Sequence, residues 1–350
     1  MAGGVGSRFW PISRRSKPKQ FLDILGSGKS FLRSTYERFV NIVPSENIFV
    51  ATNTAYRDMV LSDIPELNSD HVLCEPLGRN TAPCIAYAAF RIRSINPEAT
   101  MVVTPSDHLI INELHFCEVI QQCLDFVLKQ DSLLTIGLQP TRPETGYGYI
   151  QVNKKETKGK FNKVKTFTEK PNAELAQVFV DSGEYFWNSG IFVWRVPTIL
   201  KAFEEFLPEI YQTFASLRNA YSTPREQDGI DRVYPECRGI SVDYGIMERA
   251  DNVWVRCSDF GWSDLGTWGS LYQYTSKDAH GNTESADTFV FDTRNCIIRT
   301  PENKIAVIEG LEDYIVVDTD DVLMVCPRSA EQNIKRYIET VKFETGDKFV

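Results

Sequence analysis

Three glycines and two cations crowd the start of the chain. Gly3, Gly4 and Gly6 lead into Arg8, and Lys19 follows within Pro18-Lys19-Gln20. A glycine has no Cβ, so its backbone N–H can come close to an anion. Arg8 and Lys19 add positive charge suited to phosphate oxygens. Glycines alone would describe a solvated chain end. Joined to Arg8, Trp10-Pro11 and Pro18-Lys19-Gln20, they point to a loop for a phosphate-rich ligand. Two familiar phosphate loops do not fit. Gly26-Ser27-Gly28-Lys29-Ser30 imitates the end of a P-loop, but Asp23 stands where its first glycine belongs. The dinucleotide pattern fails at Phe9, in the place of its third glycine.

The cations belong to a wider asymmetry. Residues 1–38 hold eight basic and two acidic side chains, net +6, in a 350-residue chain whose total is −9, so the rest carries −15. A basic head on an acidic body fits a small-molecule phosphate grip better than a nucleic-acid binder. No apolar run approaches the roughly 20 residues that cross a bilayer, and the N-terminus does not read as a signal peptide. The eight cysteines form no Cys-x-x-Cys pair. They read as reduced, buried thiols of a cytoplasmic protein. The acidity and the lack of a long apolar run lead to the expectation of neither nucleic-acid nor membrane partners. The four histidines make no metal pattern, and His108 and His115 read as packing or local hydrogen-bonding residues.

The elements that must hold the loop alternate between strand and helix. Asn47–Thr52, Val72–Cys74, Thr100–Thr104 and Leu133–Gly137 read as strands, and Asn80–Ser94 and Asn112–Lys129 as helices. This alternation predicts an α/β fold with a parallel sheet and helices on both faces. Asp107 then falls in a loop at the carboxyl end of a strand, where open α/β sheets place ligands. Further on, Tyr149–Val152, Lys163–Thr168, Gly190–Trp194 and Val253–Cys257 read as strands, with helices over Asn172–Ser182, Thr198–Leu217 and Asp243–Arg249. Character changes in the polar segment Thr275–Ala286. Short β-branched runs follow (Thr288–Phe291, Cys296–Arg299, Ile305–Ile308, Tyr314–Val317, Val322–Cys326), then a closing helix over Ser329–Val341. They predict a small β-helical domain, with domains of 1–280 and 281–350.

Seven separated motifs, in order, resemble the sugar-1-phosphate nucleotidyltransferases, and among them the guanylyltransferases that use mannose 1-phosphate. They are Gly3–Arg8 with Pro18-Lys19-Gln20, Glu75–Pro83, Pro105–His108, Arg142–Tyr149, Glu169-Lys170-Pro171, Trp187–Gly190 and Gly261–Trp268. The resemblance covers essentially the whole chain. It implies a GT-A-like (Rossmann-like) nucleotidyltransferase domain with a mixed, mostly parallel sheet, and a C-terminal left-handed β-helix. The implied reaction is GTP plus mannose 1-phosphate to GDP-mannose and pyrophosphate. A sugar phosphate has a second pKa near 6 and is a ready nucleophile at neutral pH, so no triad is needed.

The resemblance also implies residue roles. Asp107 and Asp264 would hold Mg²⁺, a hard ion that prefers oxygen; alone, each would read as a turn or cap residue. Arg8 and Lys19 would grip the triphosphate and offset charge on departing pyrophosphate. Gly3, Gly4 and Gly6 would bring backbone donors to the nucleotide. Glu75, Gly78, Arg79, Asn80 and Thr81 would read the guanine, in a stretch that is also an ordinary strand-to-helix turn. Gly146, Tyr147, Glu169, Lys170 and Asn188 would receive the sugar phosphate; alone, Glu169 and Lys170 would read as a solvated pair. Asp243 sits in a family-like stretch, and its residues read as a helix cap. Of Trp187, Trp262 and Trp268, at least two read as core.

One departure stands out. Family members run an apolar strand into the glycine loop, and here Met1 stands where that strand should end. The expectation is a missing first strand of about 5–6 residues, whose restoration would raise stability and turnover. A chain ending at Val350 leaves no room for a fused isomerase, so a single transferase activity is expected. The β-rich tail offers an edge for a homodimer. Two alternatives remain at this stage: a nucleotidyltransferase pairing glucose 1-phosphate with UTP, dTTP or ATP, and a non-catalytic regulator that binds sugar nucleotides.

Overall fold

The computed structural model describes residues 1–283 and 287–350; Glu284, Ser285 and Ala286 of the polar segment lie outside the described residues. The chain packs as two compact units, each assembled from separated segments. The first comprises 1–3, 36–106 and 110–262, and the second 4–35, 107–109 and 263–350.

Strands of the first unit are β1 (Val50–Asn53), β2 (Val72–Glu75), β3 (Thr100–Val103), the two-residue β4 (Leu109–Ile110) at its border, β5 (Leu133–Leu138), β6 (Gly148–Lys158), β7 (Phe161–Glu169), β8 (Tyr185–Arg195), β9 (Val253–Ser258) and the two-residue β10 (Trp262–Ser263), also at the border. Six form a sheet in the order β3-β8-β5-β9-β7-β6, with β8 also pairing β6. The sheet is mixed, but the mostly parallel arrangement is corrected. Within it only β5 and β9 pair in parallel, while β8 runs against β3, β5 and β6, and β7 against β6 and β9. The cause is local. β6 and β7 are joined through Gly159 at φ 61°, and so tight a connection can only return antiparallel. A parallel pair also forms between β1 and β2.

Helix starts follow the sequence closely. Asn80 accepts from the Thr81 N–H, Asn112 from His115 and Asn172 from Leu175, capping helices Thr81–Ile95, Glu113–Lys129 and Ala173–Ser182. The single helix expected over Thr198–Leu217 is two, Val196–Phe206 and Pro208–Ala215. Pro208 lacks an N–H and drives Leu207 out of helical geometry, to φ −137° and ψ 57°. Fully buried Phe90, Trp194, Phe203 and Phe214 anchor one apolar cluster, and Phe116, Val119 and Cys123 another. Each such large side chain contributes about 1.5–3 kcal/mol on burial.

The chain's first residues are pinned. The Met1 ammonium donates to the Thr104 carbonyl at 2.8 Å, and the Ser106 N–H to the Met1 carbonyl at 3.1 Å. The Ala2 N–H donates to Ala51 at 2.7 Å, and the Thr52 hydroxyl to the Ala2 carbonyl at 2.8 Å. Two residues thereby bridge β1 to the segment after β3.

The second unit carries β11 (Thr288–Phe291), β12 (Ile297–Arg299), β13 (Ala306–Glu309), β14 (Tyr314–Asp318) and β15 (Leu323–Pro327). β11 pairs β13 in parallel, Thr288 opposite Ala306; β12 pairs β14 in parallel, Ile297 opposite Ile315. The sequence offset is the same in both, as stacked turns of a β-helix require. β15 closes antiparallel on β14. Ile297, Ile315, Val317 and Cys326 point into a core shared with Phe9, Trp10, Leu265, Trp268 and Ile334. Among the described residues no helix is long and apolar enough to cross a membrane.

Candidate active site

In the second unit, Gly6, Arg8, Lys19, Asp107 and Asp264 line one pocket, with His108 and Lys335 beside them. Gly6 starts the turn Ser7–Phe9 at φ 71° and ψ 39°. A Cβ there would overlap the Cβ of Lys19. The Lys19 N–H donates to the Val5 carbonyl at 3.1 Å, closing the glycine loop on itself. Phe9 meets Trp268 edge to face at 5.1 Å, and the Trp10 indole donates to the Phe349 carbonyl at 2.7 Å.

Lys19 is only 3% exposed, yet its ammonium donates to Asp107 Oδ2 at 3.1 Å and to the Asp264 carbonyl at 2.5 Å. Burial pushes the Asp107 carboxyl up, but Lys19 and His108 together bring it below its ordinary value. A third of its side chain still reaches solvent. Asp264 Oδ1 accepts the Gly266 N–H at 3.0 Å, and a Cβ on Gly266 would stand 2.6 Å from Oδ2. Two carboxylates, a buried ammonium and a guanidinium thus share one cavity. Arg8 Nε is buried without a hydrogen-bond partner. His108, read from sequence as a packing or local hydrogen-bonding residue, lines the pocket with Nε2 4.0 Å from Asp107.

Two other cations of the basic head are spent on structure. Arg14 clasps Asp321 with bonds of 2.7 and 2.5 Å, and in the first unit Arg38 meets Glu113 at 2.9 Å. The P-loop imitation is occupied from within, because Asp23 accepts the Ser27 N–H at 2.9 Å and the Gly28 N–H at 2.6 Å.

In the first unit, Tyr147, Glu169, Lys170 and Asn188 gather at one end of the sheet. Gly148 opposes Glu169 in the β6–β7 register, and a Cβ on Gly148 would run into that carboxylate. Glu169 is 6% exposed and takes the Lys170 ammonium at 2.7 Å. Burial lowers the Lys170 pKa, and the Glu169 contact more than restores it. The Lys170 N–H donates to the Tyr147 carbonyl at 3.2 Å. Tyr147 stands edge to face with Trp187 and Trp262, each at 5.2 Å. Gly146 donates its N–H to Glu144 at 3.1 Å. Asn188 accepts from the Thr135 hydroxyl at 3.0 Å and donates to Asp243 at 2.8 Å.

Asp243 is thereby more than a cap. It opens a short π-helical turn, Asp243–Met247, in place of the expected α-helix. Burial, then the neighbouring Glu169 charge, push its carboxyl from 3.8 to about 6. A folded carboxyl raised above its unfolded value holds its proton longer than the unfolded chain does. Stability falls as pH rises through that window, and the penalty levels off above the folded pKa, at about 2–3 kcal/mol. Asp243→Asn keeps the Asn188 bond and removes the charge. Thermal melts are expected to show the variant's advantage over wild type growing from pH 4 to pH 7; an advantage independent of pH would contradict this.

Of the segment expected to read the base, Gly78 and Asn80 are exposed. Arg79 donates to the Pro235 carbonyl at 2.7 Å, and the Thr81 hydroxyl accepts the Val242 N–H at 2.9 Å. Glu75 is buried and takes the Tyr234 hydroxyl; burial raises its pKa against that bond. Gly3 lies beside it, where a Cβ would stand 3.4 Å from Oε2. Gly4 has nothing within 4 Å of such a Cβ.

Residues 1–281 match the family model described as nucleotidyl transferase. The chain belongs to the sugar-1-phosphate nucleotidyltransferase family. It is therefore an enzyme of the class that joins a nucleotidyl group to a sugar 1-phosphate. Residues 287–341 match a model described as a MannoseP isomerase/GMP-like beta-helix domain. A mannose-1-phosphate guanylyltransferase of Klebsiella pneumoniae is 36% identical over 347 residues, covering 98% of this chain and 73% of its own. One from Escherichia coli K12 is 36% identical over 350 residues, with 98% and 72% covered. A crystal structure from Thermus thermophilus, described as a mannose-1-phosphate geranyltransferase, superposes with a TM-score of 0.86 at 29% identity, covering 98% of both chains.

Proposed function

We propose that the enzyme transfers GMP from GTP to mannose 1-phosphate, giving GDP-mannose and pyrophosphate. The observation that carries the reading is the pocket where Arg8, Lys19, Asp107 and Asp264 converge. The choice of guanine and mannose is supported by the two relatives above, both mannose-1-phosphate guanylyltransferases. In the proposed step a phosphate oxygen of mannose 1-phosphate attacks the α-phosphorus of GTP in line. The bond from that phosphorus to the bridging oxygen breaks, and its electrons leave with pyrophosphate. Arg8 and Lys19 lie where they can offset the charge that collects on the leaving group.

The donor set fits Mg²⁺. Asp107 and Asp264 offer hard oxygens, and Gly266 leaves Asp264 Oδ2 a space that a Cβ would fill. No group of three or more metal-ligating side chains exists among the described residues. Phosphate oxygens and water would complete the shell, as is usual for this ion. When bound, Mg²⁺ supplies charge neutralisation on the triphosphate. Gly3, Gly4 and Gly6 are assigned to backbone contact with the nucleotide, and Gly78, Arg79, Asn80 and Thr81 to the base. Glu75, held by Tyr234, shapes the floor beneath Gly3. Gly146, Tyr147, Glu169, Lys170 and Asn188 are assigned to the sugar phosphate.

Pairing each nucleoside triphosphate with each sugar 1-phosphate and measuring pyrophosphate release tests this. GTP with mannose 1-phosphate is expected to be the fastest pair. A faster pair overturns the specificity, and no pyrophosphate from any pair overturns the activity.

A further inference from the structure

We propose that Lys335, on the helix Ile334–Thr345 of the β-helical tail, binds the terminal phosphates of the nucleotide and the pyrophosphate product. The proposal rests on the transferase reading above. Lys335 lines the pocket of Arg8, Lys19, Asp107 and Asp264. No motif marks it, and in sequence it is one of several cations on a solvated helix.

The other tail cations have occupations. Lys342 pairs with Asp347 at 2.8 Å, Lys304 with Asp318 at 2.6 Å, and Arg294 with Glu312 at 3.9 Å. Arg328 donates to the Asn295 carbonyl at 2.9 Å, and Arg336 lies over the Tyr337 ring. Lys335 has neither hydrogen bond nor ion pair among the described residues. Its ammonium is an uncommitted charge at the rim of a cavity whose deeper lysine is already offset by Asp107.

Its position is also fixed. Ile334, the preceding residue, is fully buried in the cluster that contains Phe9, Leu265 and Trp268. Those three flank Arg8, Asp264 and the start of helix Trp268–Tyr274. Glu331 takes the Gly269 N–H at 2.7 Å, tying the segment before Lys335 to that same helix. The tail therefore presents Lys335 from a backbone locked to the loops that carry Arg8 and Asp264. A flexible, exposed ammonium suits the mobile end of a triphosphate, where most of its charge lies. Lys19, buried and bonded to the Asp264 loop, suits the reacting end.

Lys335→Gln and Lys335→Arg test this in the full-length enzyme, with calorimetric binding of magnesium pyrophosphate as a readout apart from turnover. Loss of one charge-assisted contact is expected to weaken pyrophosphate binding, and to raise KM for the nucleoside triphosphate, about tenfold or more in Lys335→Gln. KM for the sugar phosphate and Tm should stay at wild-type values, and Lys335→Arg should recover most of the affinity. Unchanged pyrophosphate affinity in Lys335→Gln overturns the proposal, as does an arginine variant as weak as the glutamine one. A wild-type enzyme that releases no pyrophosphate from any substrate pair would instead overturn the transferase reading.

Discussion

Replacing Asp107 by asparagine is expected to slow turnover on the order of 10²–10³-fold, the usual cost of removing one preorganised electrostatic group from such a site. The amide keeps the shape of the side chain and discards its charge. In the proposed roles it loses a hard metal ligand and the partner of a nearly buried ammonium together. The second loss also touches stability, because a buried cation without its counter-charge is costly. Lys19 keeps the Asp264 carbonyl at 2.5 Å, and a third of Asp107 is exposed, so the variant should still fold. Asp264→Asn separates the two effects. Its Oδ1 accepts a backbone N–H that an amide oxygen accepts equally well, and the ammonium of Lys19 meets Asp264 through the main chain. Its Tm should therefore stay close to wild type while turnover falls as far, and the Mg²⁺ needed for half-maximal rate should rise in both variants. Full turnover of either one at ordinary Mg²⁺ would remove that aspartate from the metal assignment.

Much of the fold was legible in the sequence, for a local reason. Caps, strand runs and the spacing of the motifs are encoded within a few residues, so Asn80, Asn112 and Asn172 begin their helices where expected. What failed depended on distance. Arg14, one of the eight basic residues of the head, lies 307 residues from the Asp321 it pairs with. The direction of β8 is set by three partner strands, and alternation of strand and helix does not reveal it. The helix Glu226–Val233 was not read because its few apolar residues make a weak pattern. Lys335 was missed because only the packing of Ile334 and Glu331 brings it to the pocket.

The three head glycines looked alike in sequence, and the structure separates them. Gly6→Ala is expected to lower both Tm and turnover severely, whereas Gly4→Ala should melt like wild type. Gly6 stands at φ 71°, in the left-handed region, where a side chain costs about 1–2 kcal/mol. The larger cost is steric. A Cβ at 6 would meet the Cβ of Lys19, an atom that no rotamer change can move. The backbone must give way, and the bond from the Lys19 N–H to the Val5 carbonyl stretches with it. Lys19 then carries its ammonium away from Asp107 and the Asp264 carbonyl, so the lesion reaches the chemistry through position. Under the proposed roles a shift of this kind is expected to cost on the order of 10²-fold in kcat/KM. A Cβ on Gly4 meets nothing within 4 Å, and its φ lies outside the left-handed region, so any loss of activity there would come from crowding the ligand. Thermal melts and pyrophosphate release on the two variants decide the matter: a Gly6→Ala protein with wild-type Tm and turnover would show that the loop yields freely, and that the rigid placement of Lys19 is not what the enzyme uses.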